Sequence, residues 1–384
     1  MKTICVVTGT RAEYGLLKRI MSLIDASEQL TLRTVVTGMH LSPEYGATAA
    51  EIEHDGFRID ARVDMLFSCD KASAMAKGVG VGVYGMAQAF ESLAPDIVVV
   101  LGDRVEAFAA AIAASLSNII LAHIHGGDKS RGGLDETMRH AITKLAHLHF
   151  AATTQSAQRI LQMGEEPGRV FVVGAPGLDE IFDTAAAGNP EELAVSLGLD
   201  LHRTVIVVVQ HPVSTSPETA EQQIRETMEA IRRLAIQTVV ICPNSDAGGR
   251  AMRATIDAYR DLPFVRVVKT LDRRQYLCLL RHSGVLVGNS SSGMIEAPCL
   301  GTPVVNIGER QEGREQAGLV LQAGYDRSDI TAKIRQALAA RTKSASQGER
   351  NDVYGDGKAS ARIVAHLERL RIDDIPRQKL ITYS

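Results

Sequence analysis

At 384 residues the chain exceeds one ordinary hydrophobic core, so two domains are expected. Its 42 Lys and Arg against 45 Asp and Glu leave a net charge of −3, which gives no electrostatic case for nucleic acid or an anionic membrane. No apolar run is long enough to cross a bilayer, and the five scattered cysteines, odd in number and without a Cys-x-x-Cys pair, argue against disulfides and zinc and fit a reducing, cytoplasmic setting.

The start, Met1 to Thr8, is too short for a signal-peptide core and reads as a first strand. Further β-branched runs follow at 30–37, 97–101, 119–124, 149–152 and 170–173, each trailed by a segment of helical period. The region 174–203, with Pro176, Gly177, Gly188, Asn189 and Pro190, reads as a hinge. Beyond it the pattern resumes at 204–209, 238–242, 265–267, 285–287 and 304–307. Continuous Val/Ile runs alternating with helices indicate parallel strands covered on both faces. The fold class is therefore α/β, with two doubly wound domains at 1–175 and 176–358. An amphipathic stretch at 359–371 opens a tail, 359–384, expected to cross back to the first domain.

Open α/β sheets bind ligands at the carboxyl ends of their strands. Polar residues gather there in both halves. Gly9-Thr10-Arg11-Ala12-Glu13-Tyr14-Gly15 follows the first strand, Gly102-Asp103-Arg104 the run at 97–101, and His125-Gly126-Gly127-Asp128 the run at 119–124, with Asp135, Arg139 and His140 further on. In the second half come Gln210-His211-Pro212, Pro243-Asn244-Ser245-Asp246, Gly288-Asn289-Ser290-Ser291-Ser292-Gly293 and Gly308-Glu309-Arg310-Gln311-Glu312-Gly313-Arg314.

The serine loop is the most telling. A buried strand that breaks into glycine and serine and then opens a helix suits an anion, because helix-start N–H groups and hydroxyls donate to it. Glu296, one turn inside, can accept from ribose hydroxyls, so a nucleotide is indicated; the plainer reading is that Ser290 or Ser291 only caps the helix. Arg11, His211, Arg310 and Arg314 are candidates for pyrophosphate contacts, although Arg310 and Arg314 also suit a solvated loop. Asp103, Asp128 and Asp135, with His125 and His140, form a proton-transfer set, although each carboxylate could equally pair or cap. His123 and His125 share a strand face but lack a third well-spaced ligand, so no metal is assigned. The glycines at 78, 80, 82 and 85 lie in a helical segment with no strand before it. They read as helix packing, not a dinucleotide loop.

Taken together, Gly9-Thr10-Arg11-Ala12-Glu13-Tyr14, Val36-Thr37-Gly38-Met39-His40, Leu101-Gly102-Asp103-Arg104, His123-Ile124-His125-Gly126-Gly127, Arg139-His140-Ala141-Ile142-Thr143-Lys144-Leu145, Gln210-His211-Pro212-Val213, the serine loop and the loop at 308–314 resemble the hydrolysing UDP-N-acetylglucosamine 2-epimerases of sialic acid synthesis. The likeness extends to Tyr354-Gly355-Asp356-Gly357. It implies two Rossmann-like domains in the glycosyltransferase-B arrangement with UDP in the cleft between them. The implied reaction eliminates UDP to a 2-acetamidoglucal and hydrates it to N-acetylmannosamine; no hydride moves, so no cofactor is called for. The resemblance puts Arg11, His211, Ser290, Ser291, Glu296 and Arg310 on nucleotide positions, and Asp103 and Asp135 on acid/base positions with Arg139 beside them. Glu13, Arg104, Asn244, Asn289, Ser292 and Arg314 complete the candidate UDP set, and His211 is a catalytic candidate as well. Where the non-hydrolysing bacterial relatives and the animal enzyme carry a glutamate this chain has His125, leaving His125 and Asp128 both as candidates for that proton transfer. The first motif lacks the proline and lysine of the non-hydrolysing branch. A homodimer or homotetramer is the implied assembly. Three alternatives stay open: the same chemistry on UDP-N,N′-diacetylbacillosamine, a glycosyltransferase of this fold, and a non-catalytic UDP-sugar binder.

Overall fold

A computed structural model describes residues 1–67, 69, 71–131, 133–183, 188–200, 202–344, 352–380 and 382. Its strands form two sheets. The first has seven strands in the order β3 (Ala61–Val63), β2 (Leu30–Thr37), β1 (Lys2–Thr8), β4 (Ile97–Leu101), β5 (Ile120–Ile124), β6 (Leu148–Ala151) and β7 (Val170–Val172). The second has six, in the order β10 (Val265–Val268), β9 (Gln237–Ile241), β8 (Val205–Val209), β11 (Val285–Gly288), β12 (Val304–Ile307) and β13 (Val320–Ala323). Every recorded pairing is parallel. Strands β1 (Lys2–Thr8), β4 (Ile97–Leu101), β8 (Val205–Val209) and β11 (Val285–Gly288) lie at the centres, and β4 and β8 are buried along their whole length. That is why they read as unbroken Val/Ile runs. The reading missed β3 (Ala61–Val63) and β13 (Val320–Ala323), edge strands of only three and four residues, too short to stand out.

In each sheet the strand order reverses at one place, between β1 and β4 and between β8 and β11. A crevice opens at such a point, because the loops on either side leave toward opposite faces. Arg11 opens the helix after β1 and Asp103 follows β4, while His211 follows β8 and Ser290 follows β11, so each sheet's topology brings its own pair to its crevice. Gly288 makes the second crevice possible. Its φ of +134° and a position where a Cβ would lie 2.0 Å from the Val209 carbonyl oxygen admit no side chain.

The glycine-rich segment is helix α3 (Ala72–Leu93), as expected, although the short strand β3 does precede it; the glycines lie within the helix and not in a strand-to-helix loop. A Cβ on Gly78 would lie 2.7 Å from the Met65 carbonyl oxygen, and one on Gly85 would lie 2.6 Å from Val63. These glycines bring α3 against the chain at 63–65. Helix α14 (Ala359–Arg369) crosses back to the first half, where Ile363, Val364 and Leu367 join the core around Ile4, Leu17 and Ile24. Lys2 clasps its end through the Glu368 and Leu370 carbonyls at 2.6 and 2.7 Å. All five cysteines are free thiols, and among the described residues no helix is long and apolar enough to cross a membrane.

Candidate active site in the interdomain cleft

The cleft between the sheets encloses a cavity of about 300 Å³, and its wall takes residues from both halves. From the first half come Arg11, Glu13, Asp103, Arg104 and Asp135. From the second come His211, Asn244, Ser290, Ser291, Ser292, Glu296 and Arg310. The apolar part includes Leu16, Met39, Val105 and Met138.

Asp103 leaves β4 on a tight turn whose Gly102 has φ +75°. His123 on β5 (Ile120–Ile124) fastens that turn, its Nε2 donating to the Gly102 carbonyl at 2.7 Å. Burial keeps this imidazole neutral, with a pKa lowered to about 3. The carboxylate of Asp103 is gripped by Arg139 of α5 (Asp135–Leu145), whose Nε donates to Oδ2 at 2.9 Å and whose Nη2 makes a second contact. Burial alone raises the Asp103 pKa, but Arg139, Arg314 and Arg310 outweigh it and hold the group ionised below its usual range. Asp135, at the first position of α5, differs. Burial pushes it up to about 6, with Asp103 and Asp246 adding to the rise and Arg310 opposing it. Two neighbouring carboxyls are thereby driven apart, one held ionised and the other titrating closer to neutrality.

Behind them lies a buried support. Arg139 Nη1 donates to the Asp128 carbonyl at 2.8 Å and to Glu136 at 2.7 Å, and Nη2 donates to the Ser130 hydroxyl at 2.8 Å. His125 Nδ1 donates to Asp128 Oδ2 at 3.1 Å, Ser156 donates to Oδ1 at 2.9 Å, and Arg314 approaches Oδ2 at 3.5 Å. Despite full burial, these partners hold the Asp128 carboxyl well below the normal range, His125 contributing most and then Arg314 and Arg139. His125 itself has φ +64°, a strained value for a residue with a Cβ, and its side chain is thereby turned to Asp128. His125, Asp128, Arg139, Asn289 and Arg314 are not part of the cavity wall. The first two meet each other and brace Arg139 and Arg314; the spacing marked the cluster but not the direction in which it faces.

On the opposite wall, the Asn289 amide zips two loops together. Its Oδ1 accepts from the His211 N–H at 2.7 Å, and its Nδ2 donates to the His211 carbonyl at 2.9 Å. The Asn244 N–H donates to His211 Nδ1 at 3.3 Å. Burial, reinforced by Arg310, lowers the His211 pKa to about 3, so the neutral ring carries its proton on Nε2. Helix α12 (Ser292–Cys299) starts on the cleft wall, and Ser291 at its cap makes no side-chain capping bond. The capping reading therefore leaves the Ser291 hydroxyl unexplained. Ser290 receives only a long 3.4 Å bond from the Ser292 N–H. Arg310 donates to the Asn289 carbonyl at 3.2 Å and reaches across the cleft to Asp135 at 2.6 Å.

The profile of the UDP-N-acetylglucosamine 2-epimerase family matches residues 23–368. The chain belongs to this family. Among its curated members, the UDP-N,N′-diacetylbacillosamine 2-epimerase (hydrolyzing) of Legionella pneumophila is 40% identical over 362 residues, covering 94% of each chain. Polysialic acid biosynthesis protein P7 of Escherichia coli is 34% identical, covering 92% of this chain and 90% of its own. The crystal structure of the Neisseria meningitidis UDP-GlcNAc 2-epimerase, bound to UDP-GlcNAc, superposes with a TM-score of 0.76 at 18% identity, covering 96% of this chain and 99% of that one. The shared architecture is the paired Rossmann-like, glycosyltransferase-B arrangement.

This epimerase-family cleft contains residues the sequence reading passed over. Arg273 on α11 (Arg273–His282) donates to Glu296 Oε1 at 2.8 Å and to the Gly177 carbonyl at 2.6 Å, aiming Glu296 along the wall. Tyr276, one turn on, bonds the Ser292 hydroxyl. Arg273 stands in the run Asp272-Arg273-Arg274, which reads as a solvated face, and no local signal marks it. Glu13 has a second occupation: its carboxyl accepts the Gly9 N–H at 2.6 Å, closing the loop before α1 (Arg11–Asp25). Arg104 lies between Glu106 at 3.2 Å and, across the cleft, Asp246 at 3.4 Å. Among the described residues no His, Cys, Asp and Glu cluster forms a metal site.

Proposed function

We propose that the chain is a hydrolysing 2-epimerase that converts UDP-N-acetylglucosamine and water to N-acetylmannosamine and UDP. The observation that carries this reading is the pair Asp103 and Asp135, one carboxyl held below its usual range and its neighbour raised to about 6, facing the α12 start, His211 and Arg310 across one cleft. In the first stage Asp103 takes the C2 proton while the C1–O bond breaks and its electron pair leaves on the β-phosphate. The His211 Nε2–H, Arg310 and the serine hydroxyls neutralise that charge as it develops, as the departure of a diphosphate requires. In the second stage Asp135 donates its proton to C2 from the opposite face and the oxygen of water joins C1. The water proton restores Asp135, and Asp103 gives the abstracted proton to solvent. The balance is one proton released with UDP. Arg139 holds Asp103 in place, and His125 and Asp128 hold Arg139.

Incubation of the purified chain with UDP-N-acetylglucosamine in heavy-oxygen water should yield UDP without label and N-acetylmannosamine labelled at C1. Release of labelled UDP, or inertness toward every UDP-2-acetamido sugar, would remove the reading. One observation supports a second substrate, UDP-N,N′-diacetylbacillosamine: the 40% identity to the Legionella enzyme. Val105 and Met138 on the cleft wall also suit a 6-deoxy, N-acetylated ring. The ratio of kcat/KM for the two sugars decides between them. A cytoplasmic homodimer or homotetramer is the setting we propose, testable by fractionation and sedimentation.

A further inference from the structure

Arg310 has two calls on one guanidinium. It stands at the diphosphate wall, anchored on the Asn289 carbonyl at 3.2 Å, and yet its Nη2 is on Asp135 at 2.6 Å. Both side chains line the cavity, on opposite sides of the cleft. We infer that the nucleotide diphosphate takes Arg310 away from Asp135 as it binds, and that Asp135 takes up a proton from solvent in the same step, so that substrate binding itself arms the acid. This rests on the proposed UDP site and goes beyond it, because it assigns the Asp135–Arg310 pair a state that exists only before the substrate arrives.

The argument is electrostatic. The charged groups facing Asp135 are Arg310 from the loop after β12 (Val304–Ile307), Asp103 from the loop after β4, Asp246 from the loop after β9 (Gln237–Ile241), and Arg139 from its own helix. Arg139 is already committed to Asp103, Glu136, Ser130 and the Asp128 carbonyl. Arg310 is therefore the cation that keeps Asp135 ionised. A bound diphosphate brings about two negative charges to the α12 start, within reach of the same guanidinium. Asp135 then keeps two carboxylate neighbours, gains an anionic ligand and loses the undivided attention of its counter-ion. Each change favours the neutral acid. Its pKa is already raised to about 6 in the free protein, so a modest further rise carries it through neutrality. A closed cleft with an armed acid thus forms only around a nucleotide, which protects against idle proton traffic in the empty enzyme.

Calorimetric titration of the full chain with UDP at about pH 7.5, in buffers of contrasting ionisation enthalpy such as HEPES and Tris, reads the proton directly. The expected result is uptake of about half to one proton per UDP in the wild type, falling close to zero in Asp135→Asn. Arg310→Gln is a second probe. Its Asp135 is protonated beforehand, so uptake again falls, and UDP binds more weakly for want of the guanidinium. Saturable UDP binding with no proton uptake in the wild type overturns the handover while leaving the nucleotide site standing. Uptake that persists unchanged in Asp135→Asn also overturns it and transfers the proton to another group. Absence of any UDP binding strikes the site reading itself.

Discussion

Asp103 and Asp135 show how little of a side chain's chemistry resides in its own identity. Both are aspartates at the carboxyl end of one sheet, yet Arg139 holds one low while burial raises the other to about 6. Replacing Asp103 with Asn keeps an oxygen for Arg139 to donate to but removes the proposed base. Turnover should fall by about 10²–10⁴, the usual worth of a positioned base, while the Kd for UDP stays within a few-fold. Steady-state assay and UDP titration of the same preparation test both halves of that statement. Loss of UDP binding in Asp103→Asn would mean that Asp103 contributes to the nucleotide pocket and not to proton transfer. Motif spacing made both aspartates visible in the sequence. The division of roles was not visible, because Arg139 and Arg310 meet them only in three dimensions, from 36 and 175 residues away.

At the scale of elements, the central strands and the loops after them were legible because burial on both faces demands unbroken Val/Ile runs. The edges β3 and β13 were not, since a short strand with one protected face leaves no such run. The tail shows a different limit. Its amphipathic period announced α14, but nothing local announces that Lys379 beyond it bonds Glu165 at 2.6 Å and the Lys144 carbonyl at the end of α5 at 2.8 Å. Glu165 also takes Lys144 at 2.6 Å and His149 at 3.0 Å. Burial alone would raise this carboxyl, but His149, Lys144 and Lys379 lower it to about 2. Its folded pKa thus lies below the unfolded value near 4.5, so its stabilisation is present above about pH 4.5 and disappears as pH falls toward 2. Glu165→Gln should therefore lose about 2–3 kcal/mol at pH 7, and the gap from wild type should close in acid. Urea midpoints measured from pH 7 down to 3 check it; a gap independent of pH would show that packing, not charge, is what the substitution removes.

For the whole molecule the decisive fact is that polar pairs cross the cleft. Asp135–Arg310 and Arg104–Asp246 do so inside it. At the rim, Arg250 bonds the Glu44 carboxylate at 2.6 Å, Arg253 bonds the Glu44 carbonyl at 3.1 Å, and the Arg253 guanidinium lies 5.0 Å over the Tyr45 ring. These pairs tie the two halves together across the cleft. Rim pairs this exposed are each worth no more than about 1 kcal/mol, yet a two-state hinge responds tenfold to about 1.4 kcal/mol, so a few weak latches suffice to bias it. Glu44→Ala removes the carboxylate that Arg250 and Arg253 share and leaves every group on the cavity's diphosphate wall in place. Free Glu44→Ala should then show a larger radius of gyration in small-angle scattering than the free wild type. Saturating UDP should return it to the wild-type value, because a ligand that touches both walls stabilises only the closed form. The same opening should weaken UDP binding by up to about tenfold, since part of the binding energy now goes into closure. If the variant's radius matches wild type with and without UDP, closure is set inside the cleft by Asp135–Arg310 and Arg104–Asp246, and the rim pairs only decorate it.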